Sequence, residues 1–308
     1  MFMFNWFAPK VFNQGYLPEE NGHQVFFMEA GSPDGQPVLV FHGGPGGASR
    51  LHHAEVFDRR KFRIIFFDQR GSGRSQPVGE TRYNSTADLL HDADRLLNFL
   101  KVEEKVILLG SSWGATLALL FAEKYPERVK ALLLSKIFLA DETAAGWVDE
   151  ISGWFYPDTM AKLRRNMPDN VDLPSFYADM INSRNLSDQV KAASLYGNYE
   201  RVLGQLIPGE EKSEVTQEDV NAAKIYINYA AEGFMLKDDQ IMSDIERIRH
   251  LPVLIVHNRL DMVCPLIGAW RLHKALPASR LVIVPEKGHV GPLIARTFKK
   301  EIRRFLKI

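Results

Sequence analysis

In Val106-Ile107-Leu108-Leu109-Gly110-Ser111-Ser112-Trp113-Gly114-Ala115-Thr116-Leu117-Ala118-Leu119-Leu120, an apolar run meets a helix-forming run across a turn of the form G-x-S-x-G. Residues 106–109 suit a strand buried on both faces of a parallel sheet. Residues 115–124 are rich in alanine and leucine, the best helix formers. The turn between them must be sharp, which puts Ser112 on a strained backbone at its tip with the hydroxyl clear of the sheet. Gly110 and Gly114 keep side chains from colliding there. The helix behind the serine aims backbone N–H groups at any negative charge that develops beside it. Ser112 is therefore the expected nucleophile, and the pattern points to serine hydrolase chemistry.

Outward from this turn, strand and helix alternate. Residues 24–29, 37–41 and 62–68 read as strands, and 38–41 and 64–67 are continuously apolar. A helix follows, capped by Asn84 or Ser85, with Leu89, Leu90, Ala93, Leu96, Leu97 and Leu100 at helical spacing. Residues 129–134 form another apolar strand. The rhythm predicts a mostly parallel α/β sheet. Between about 140 and 239 strands become scarce, and Trp, Tyr, Met, Asn and acidic residues dominate. That segment, with a polar loop at 207–213, predicts a helical insertion over the sheet. The α/β rhythm resumes with strands at 253–256 and 281–284 and helices near 268–275 and 295–306. The expected organisation is a core of 1–139 and 240–308 carrying a helical cap of 140–239.

The 308 residues are 45% hydrophobic and 25% charged, with 38 basic and 38 acidic side chains. A balanced charge gives no reason to expect a nucleic-acid or membrane-surface partner. The single cysteine, Cys264, excludes an intrachain disulfide and a cysteine-based zinc site, and favours a reducing, cytoplasmic setting. The apolar start MFMFNWFAPKVF lacks a basic leader and reads as a packed arm or edge strand. No segment holds the ~18 uninterrupted apolar residues that a membrane span needs, so no stable membrane association is expected.

His42-Gly43-Gly44-Pro45-Gly46-Gly47 follows the strand at 37–41. Ester or amide hydrolysis passes through an oxyanion that needs preorganised donors. The N–H of Trp113 is one expected donor; Gly44 is the other, ahead of Gly43. No Lys-Ser/Thr pair follows the glycines, so a P-loop is excluded. In this order of elements a nucleophile is followed by an acid and then a base. Asp261, just past the strand at 253–256, is the expected acid. His289, between the last strand and the last helix, is the expected base. His23, His52, His53, His91 and His273 read as surface or loop residues, and His42 and His257 as local structural groups. Cys264 reads as a structural thiol near the site. No metal or organic cofactor is implied.

The strings His42–Gly47 (HGGPGG), Phe67–Ser75 (FDQRGSGRS), Gly110–Leu119 (GSSWGATLAL), Tyr125–Val129 (YPERV), Ile137-Phe138-Leu139, His257–Pro265 (HNRLDMVCP) and Gly288-His289 resemble the proline iminopeptidase (prolyl aminopeptidase) family of α/β hydrolases. The resemblance runs from about Gly22 to the C-terminus. It implies an α/β-hydrolase fold with an inserted helical cap, and release of an N-terminal proline from small peptides. It also implies a cap glutamate that holds the substrate's free amine. Tyr199-Glu200 occupies the place of the family's W-E pair, so Glu200 is the candidate amine anchor. Phe138 would line the proline pocket. Two departures stand out. The family's I-E-N-H-Y segment reads Ile225-Tyr226-Ile227-Asn228-Tyr229, with Tyr226 in place of an acid, and R-G-I-F-L reads Ser135-Lys136-Ile137-Phe138-Leu139. Glu232 is a candidate substitute nearby for the lost acid, with another acid left open. The changes keep open an esterase or amidase acting on another small acyl substrate; a non-catalytic binding protein would not need Ser112, Asp261 and His289 together.

Overall fold

The apolar runs become neighbouring strands of one eight-stranded sheet in a computed structural model that describes residues 10–206 and 214–307. The strands are β1 (Val11–Tyr16), β2 (Phe26–Gly31), β3 (Gln36–Phe41), β4 (Phe62–Phe67), β5 (Val106–Ser112), β6 (Val129–Ile137), β7 (Val253–Leu260) and β8 (Ser279–Lys287). They lie in the order β1-β2-β4-β3-β5-β6-β7-β8. The β1–β2 and β2–β4 pairs are antiparallel, and every later pair is parallel. The strand expected at 24–29 starts two residues later, because Gln24 bridges to Gln76 instead of joining the ladder. The expected N-terminal arm at residues 1–9 and the polar loop at 207–213 lie outside the described residues.

Continuous apolar runs are required here because the sheet is covered on both faces. Along each strand side chains alternate between two cores. Leu39, Phe41, Ile65, Leu108 and Leu134 face one, with Leu96 of α1 (Thr86–Phe99) and Leu117 of α2 (Trp113–Lys124). Val38, Val40, Ile64, Ile107 and Leu133 face the other. Ser85, not Asn84, caps α1, in a reciprocal pair with Asp88. Asn84 instead donates to the carbonyls of Arg70 and Glu80.

Between β6 and β7 the described regular elements are helical: α3 (Glu142–Asp149), α4 (Pro157–Leu163), α5 (Leu173–Ile181), α6 (Leu186–Gln205), α7 (Gln217–Ala231) and α8 (Gln240–Asp244), with short 3-10 turns. The first five share an apolar cluster of their own that includes Leu163, Tyr177, Tyr196, Tyr199 and Ile227. Ile241 of α8 packs instead into the sheet's first core. The chain closes with α9 (Leu266–Ala275) beside β7 and α10 (Pro292–Phe305) on the second core. His23 departs from its expected surface position. The loop around Gln24 folds against the loop around Gln76, burying the ring and placing its Nε2 2.8 Å from the Arg82 carbonyl.

Candidate active site

Ser112 ends β5 with φ 57 and ψ −129, a conformation that costs a non-glycine residue about 1–3 kcal/mol and persists only where the surroundings impose it. The surroundings are tight. A Cβ at Gly110 would run into the Gly114 carbonyl, and one at Gly114 into the Phe41 carbonyl. Trp113 is the first residue of α2, so its backbone N–H has no partner within the helix.

The loop after β3 lies against this turn. A Cβ at Gly43 would stand 3.7 Å from that of Ser112, and Gly44, at φ +129, lines the same cavity as Ser112. The loop is braced by Gln69, a residue to which the sequence reading gave no separate role. Its side-chain NH2 donates to the His42 carbonyl at 2.9 Å, and its Oε1 accepts the Trp113 indole N–H at 3.0 Å. Its backbone N–H donates to His42 Nε2 at 3.0 Å. His42 Nδ1 therefore carries the proton and donates to the Gly43 carbonyl at 2.8 Å. Burial pushes the His42 pKa down, against the raising effects of that carbonyl and of Asp68, so the ring stays neutral in one tautomer. The rest of the FDQRGSGRS string is equally built in. Asp68 accepts from the Ser49 N–H and pairs with Arg74 at 2.8 Å, while buried Arg70 pairs with buried Asp92 at 2.6 Å.

Asp261 and His289 reach the same place from the ends of adjacent parallel strands, β7 and β8. His289 Nδ1 is 2.8 Å from Asp261 Oδ2 and 3.0 Å from Oδ1. The Val263 and Cys264 N–H groups donate to Asp261 Oδ1 at 3.0 and 2.9 Å. Burial alone would push the Asp261 carboxyl up. The His289 ring, then His257 and the backbone donor at Cys264, outweigh that and hold it below the usual carboxylate range. The His289 N–H donates to the carbonyl of Gly204 at 2.8 Å, tying His289 to the helical segment near the end of α6. His257 accepts the Ile137 N–H and donates to the Cys264 carbonyl at 2.8 Å, joining the ends of β6 and β7.

Ser112 and His289 open into one cavity of about 330 Å³, shared with Gly44, Phe138, Glu200, Tyr226 and Cys264. Among the described residues no hydrogen bond joins Ser112 Oγ to His289; its contact is the Cys264 thiol at 3.9 Å. Burial pushes that thiol's pKa well up, so Cys264 is a neutral neighbour. Glu200 lies in the wall with the Tyr226 hydroxyl bonded to it. Burial raises its carboxyl to about 7, and the Tyr226 bond opposes part of the rise. The residue that stands where the family's second acid was expected thus serves as a donor to the first. Glu232 does not replace that acid: it is the exposed cap at the end of α7 and lines no part of this cavity. Ser135, in place of the family's arginine, donates to Ser111 Oγ at 3.0 Å.

Residues 36–294 match the family model described as the alpha/beta hydrolase fold. A probable proline iminopeptidase of Leptolyngbya boryana is 36% identical over 90% of this chain and 88% of its own length. The proline iminopeptidase of Arabidopsis thaliana is 35% identical over 92% and 77%, and that of Neisseria meningitidis serogroup B 35% identical over 90% of both chains. Among solved structures, an esterase from Exiguobacterium antarcticum superposes with a TM-score of 0.60 at 21% identity, over 95% of this chain and 99% of its own. A proline iminopeptidase-related protein from Thermus thermophilus gives 0.57 at 19%, over 97% of both. Likeness at these low identities speaks to the fold, which matches the sheet order and elbow described above. With a family model spanning most of the chain and relatives aligned nearly end to end, the chain belongs to the α/β-hydrolase fold family and, within it, to the proline iminopeptidases.

Proposed function

We propose that the chain is a serine aminopeptidase that releases an N-terminal proline, or a similarly small residue, from short peptides through an acyl-enzyme on Ser112. The observation that carries this reading is a single small cavity holding a strained serine at one wall and a half-buried carboxyl, Glu200, at another. In such a substrate the free amine stands two bonds from the carbonyl under attack. An amine anchor must therefore share the nucleophile's own cavity, with room for one small side chain beside Phe138. We read 140–239 as the cap that supplies this anchor. A cytoplasmic location belongs to the same reading and rests on Cys264 being the sole cysteine.

The proposed reaction uses each group once in each half. His289 Nε2 takes the Ser112 proton while its Nδ1–H is held by Asp261. Ser112 Oγ bonds to the carbonyl carbon, and the oxygen becomes an oxyanion facing the N–H groups of Trp113 and Gly44. His289 passes its proton to the leaving amine as the peptide bond breaks. Water, deprotonated by His289, then releases the residue from Ser112. The Ser112–His289 contact is the one that must shorten when substrate binds, as catalytic hydrogen bonds commonly do.

A substrate panel tests the assignment. Prolyl, alanyl and leucyl aryl-amides are compared with N-blocked versions and with short-chain aryl esters. The expected result is preference for the free-amine prolyl amide. Ester turnover with no gain from a free amine would assign the site to an esterase instead.

The anchor makes a pH prediction. Below about 7 Glu200 takes up a proton and loses its hold on an ammonium. KM for free-amine substrates should therefore climb as pH falls through about 7, while KM for aryl esters stays flat. Above about 8 the substrate's own α-amino group loses its charge, so the favourable window is narrow. Glu200→Gln should remove the acid limb and raise KM for free-amine substrates by about 100-fold, as expected when one partner of a buried charge pair is lost. Tyr226→Phe should move the limb to higher pH, because it deletes the bond that favours the carboxylate. Equal effects on amide and ester would remove Glu200 from the amine site.

Gln69 is proposed as a positioning residue for the two oxyanion donors, since it ties the His42 carbonyl to the Trp113 ring. Gln69→Leu should lower kcat by about 10²-fold, the scale of losing one oxyanion donor, with KM little changed. A rise in KM with kcat intact would show that Gln69 shapes the pocket and not the donors.

A further inference from the structure

A second cavity, of about 500 Å³, lies on the α10 side of the sheet, between the C-terminal ends of β3, β5 and β6, the 3-10 turn Leu51–Val56 and α10. Among the described residues Val290 is the one it shares with the Ser112 cavity. Its wall is largely apolar, with Val40, Leu109, Ile294 and Phe298 among the lining residues. Two of the basic groups that interrupt that wall lack a side-chain partner among the described residues. The side chain of Lys136, a residue in the left-handed region at φ 53, makes no hydrogen bond or ion pair among the described residues. His53 Nδ1 is buried without a hydrogen-bond partner among the described residues. Burial pushes the pKa of both groups down, that of His53 to about 4 with the help of neighbouring basic groups, while Asp261 and Glu286 offset only part of the fall at Lys136. The nearby carboxylates do not fill the gap. Asp261 is held by His289, and Glu286 accepts the Leu293 and Ile294 N–H groups at the start of α10. Among the described lining residues Glu55 is the one acid, against Lys136, Arg296 and Lys299.

We propose that this cavity binds a small hydrophobic carboxylate, its apolar body against Val40, Leu109, Ile294 and Phe298 and its carboxylate between Lys136 Nζ and His53. An unpartnered ammonium in an apolar wall is costly unless an acceptor meets it, and a carboxylate is the acceptor that also brings the missing charge. The exposed Arg296 adds attraction at the outer end. The site owes nothing to the chemistry at Ser112, and it stands or falls apart from the aminopeptidase reading.

Calorimetric titration with octanoate tests it on the full chain. The expected result is saturable one-to-one binding that Lys136→Met weakens by about tenfold or more, as for loss of a hydrogen bond to a charged group, and that Lys136→Arg largely retains. Glu200→Gln should leave the affinity unchanged. Tighter binding in Glu200→Gln would place the carboxylate in the Ser112 cavity and overturn the proposal. So would equal affinity in Lys136→Met, or no saturable heat up to about 10 mM, a weak limit for any specific site. Should Lys136→Met not fold, cyanate labelling of the unmodified protein decides. Octanoate must slow carbamylation of Lys136 several-fold, read by peptide mass, and an unprotected Lys136 rejects the site.

Discussion

Ser112→Ala is expected to lower kcat by about 10⁶-fold on amides and esters alike, the scale seen when the nucleophile of such a unit is removed. The proposed route has no second nucleophile to take over. Cys264, the nearest candidate at 3.9 Å, is buried with its thiol pushed well above the range where it ionises. The residual rate should come from the oxyanion donors and substrate binding alone. Adding His289→Ala should then cost little more, because a base without its nucleophile has nothing to activate. Stability should hardly change, by less than about 0.5 kcal/mol. The Ser112 hydroxyl makes one long contact, and alanine tolerates the positive φ no worse than serine. Steady-state kinetics with a thermal melt on the same sample checks both halves. A variant that keeps kcat within tenfold, with labelling by a serine-directed phosphonate intact, would take the nucleophile's role away from Ser112.

Asp261→Asn is expected to lower kcat by about 10⁴-fold while leaving KM nearly unchanged. Two backbone donors, from Val263 and Cys264, already converge on Oδ1, and His289 Nδ1 meets both oxygens. A carboxamide has one acceptor oxygen. The backbone N–H groups should claim it, which turns the NH2 toward His289 Nδ1. The imidazole must then move its proton to Nε2 and present Ser112 with a donor where the reaction needs an acceptor. The loss is one of tautomer more than of charge, so raising the pH should not restore activity. Asp261→Glu keeps the acceptors but displaces them and should fall between the two. If Asp261→Asn retains kcat within tenfold, another group orients His289.

These expectations rest on features that became visible at different levels. The strand–turn–helix around Ser112 was legible in the sequence because it is local. Two glycines, an apolar run and a leucine-rich run constrain the same few backbone dihedrals. The continuous apolar runs at 38–41 and 64–67 likewise announced a sheet covered on both faces, and their side chains do divide between two cores. Asp261 and His289 were legible by chain order, since β7 and β8 are neighbours and their ends must lie side by side. The motif strings from His42–Gly47 to Gly288-His289 carry the family resemblance, and the family model and the proline iminopeptidase relatives agree with it.

What depends on distant segments was not legible. Glu232 lies six residues from Tyr226 in the chain, yet the end of α7 turns it out to solvent. His23, in a polar turn, is buried because a second loop closes over it. Gln69 sits inside a recognisable string, but its bonds to His42 and Trp113 exist only after β3, β4 and α2 have packed. Lys136 reads as a lost glycine in a family pattern; its solitude appears only when α10 and the turn Leu51–Val56 enclose it. By itself the sequence determined the sheet, the elbow and the identity of the nucleophile to test, because short-range backbone geometry and hydrophobic periodicity dictate them. Tertiary structure alone decided the raised pKa of Glu200, the tautomer of His42 and the unpartnered side chain of Lys136. Those properties follow from desolvation and partner distance, which contact between remote segments sets and residue order does not.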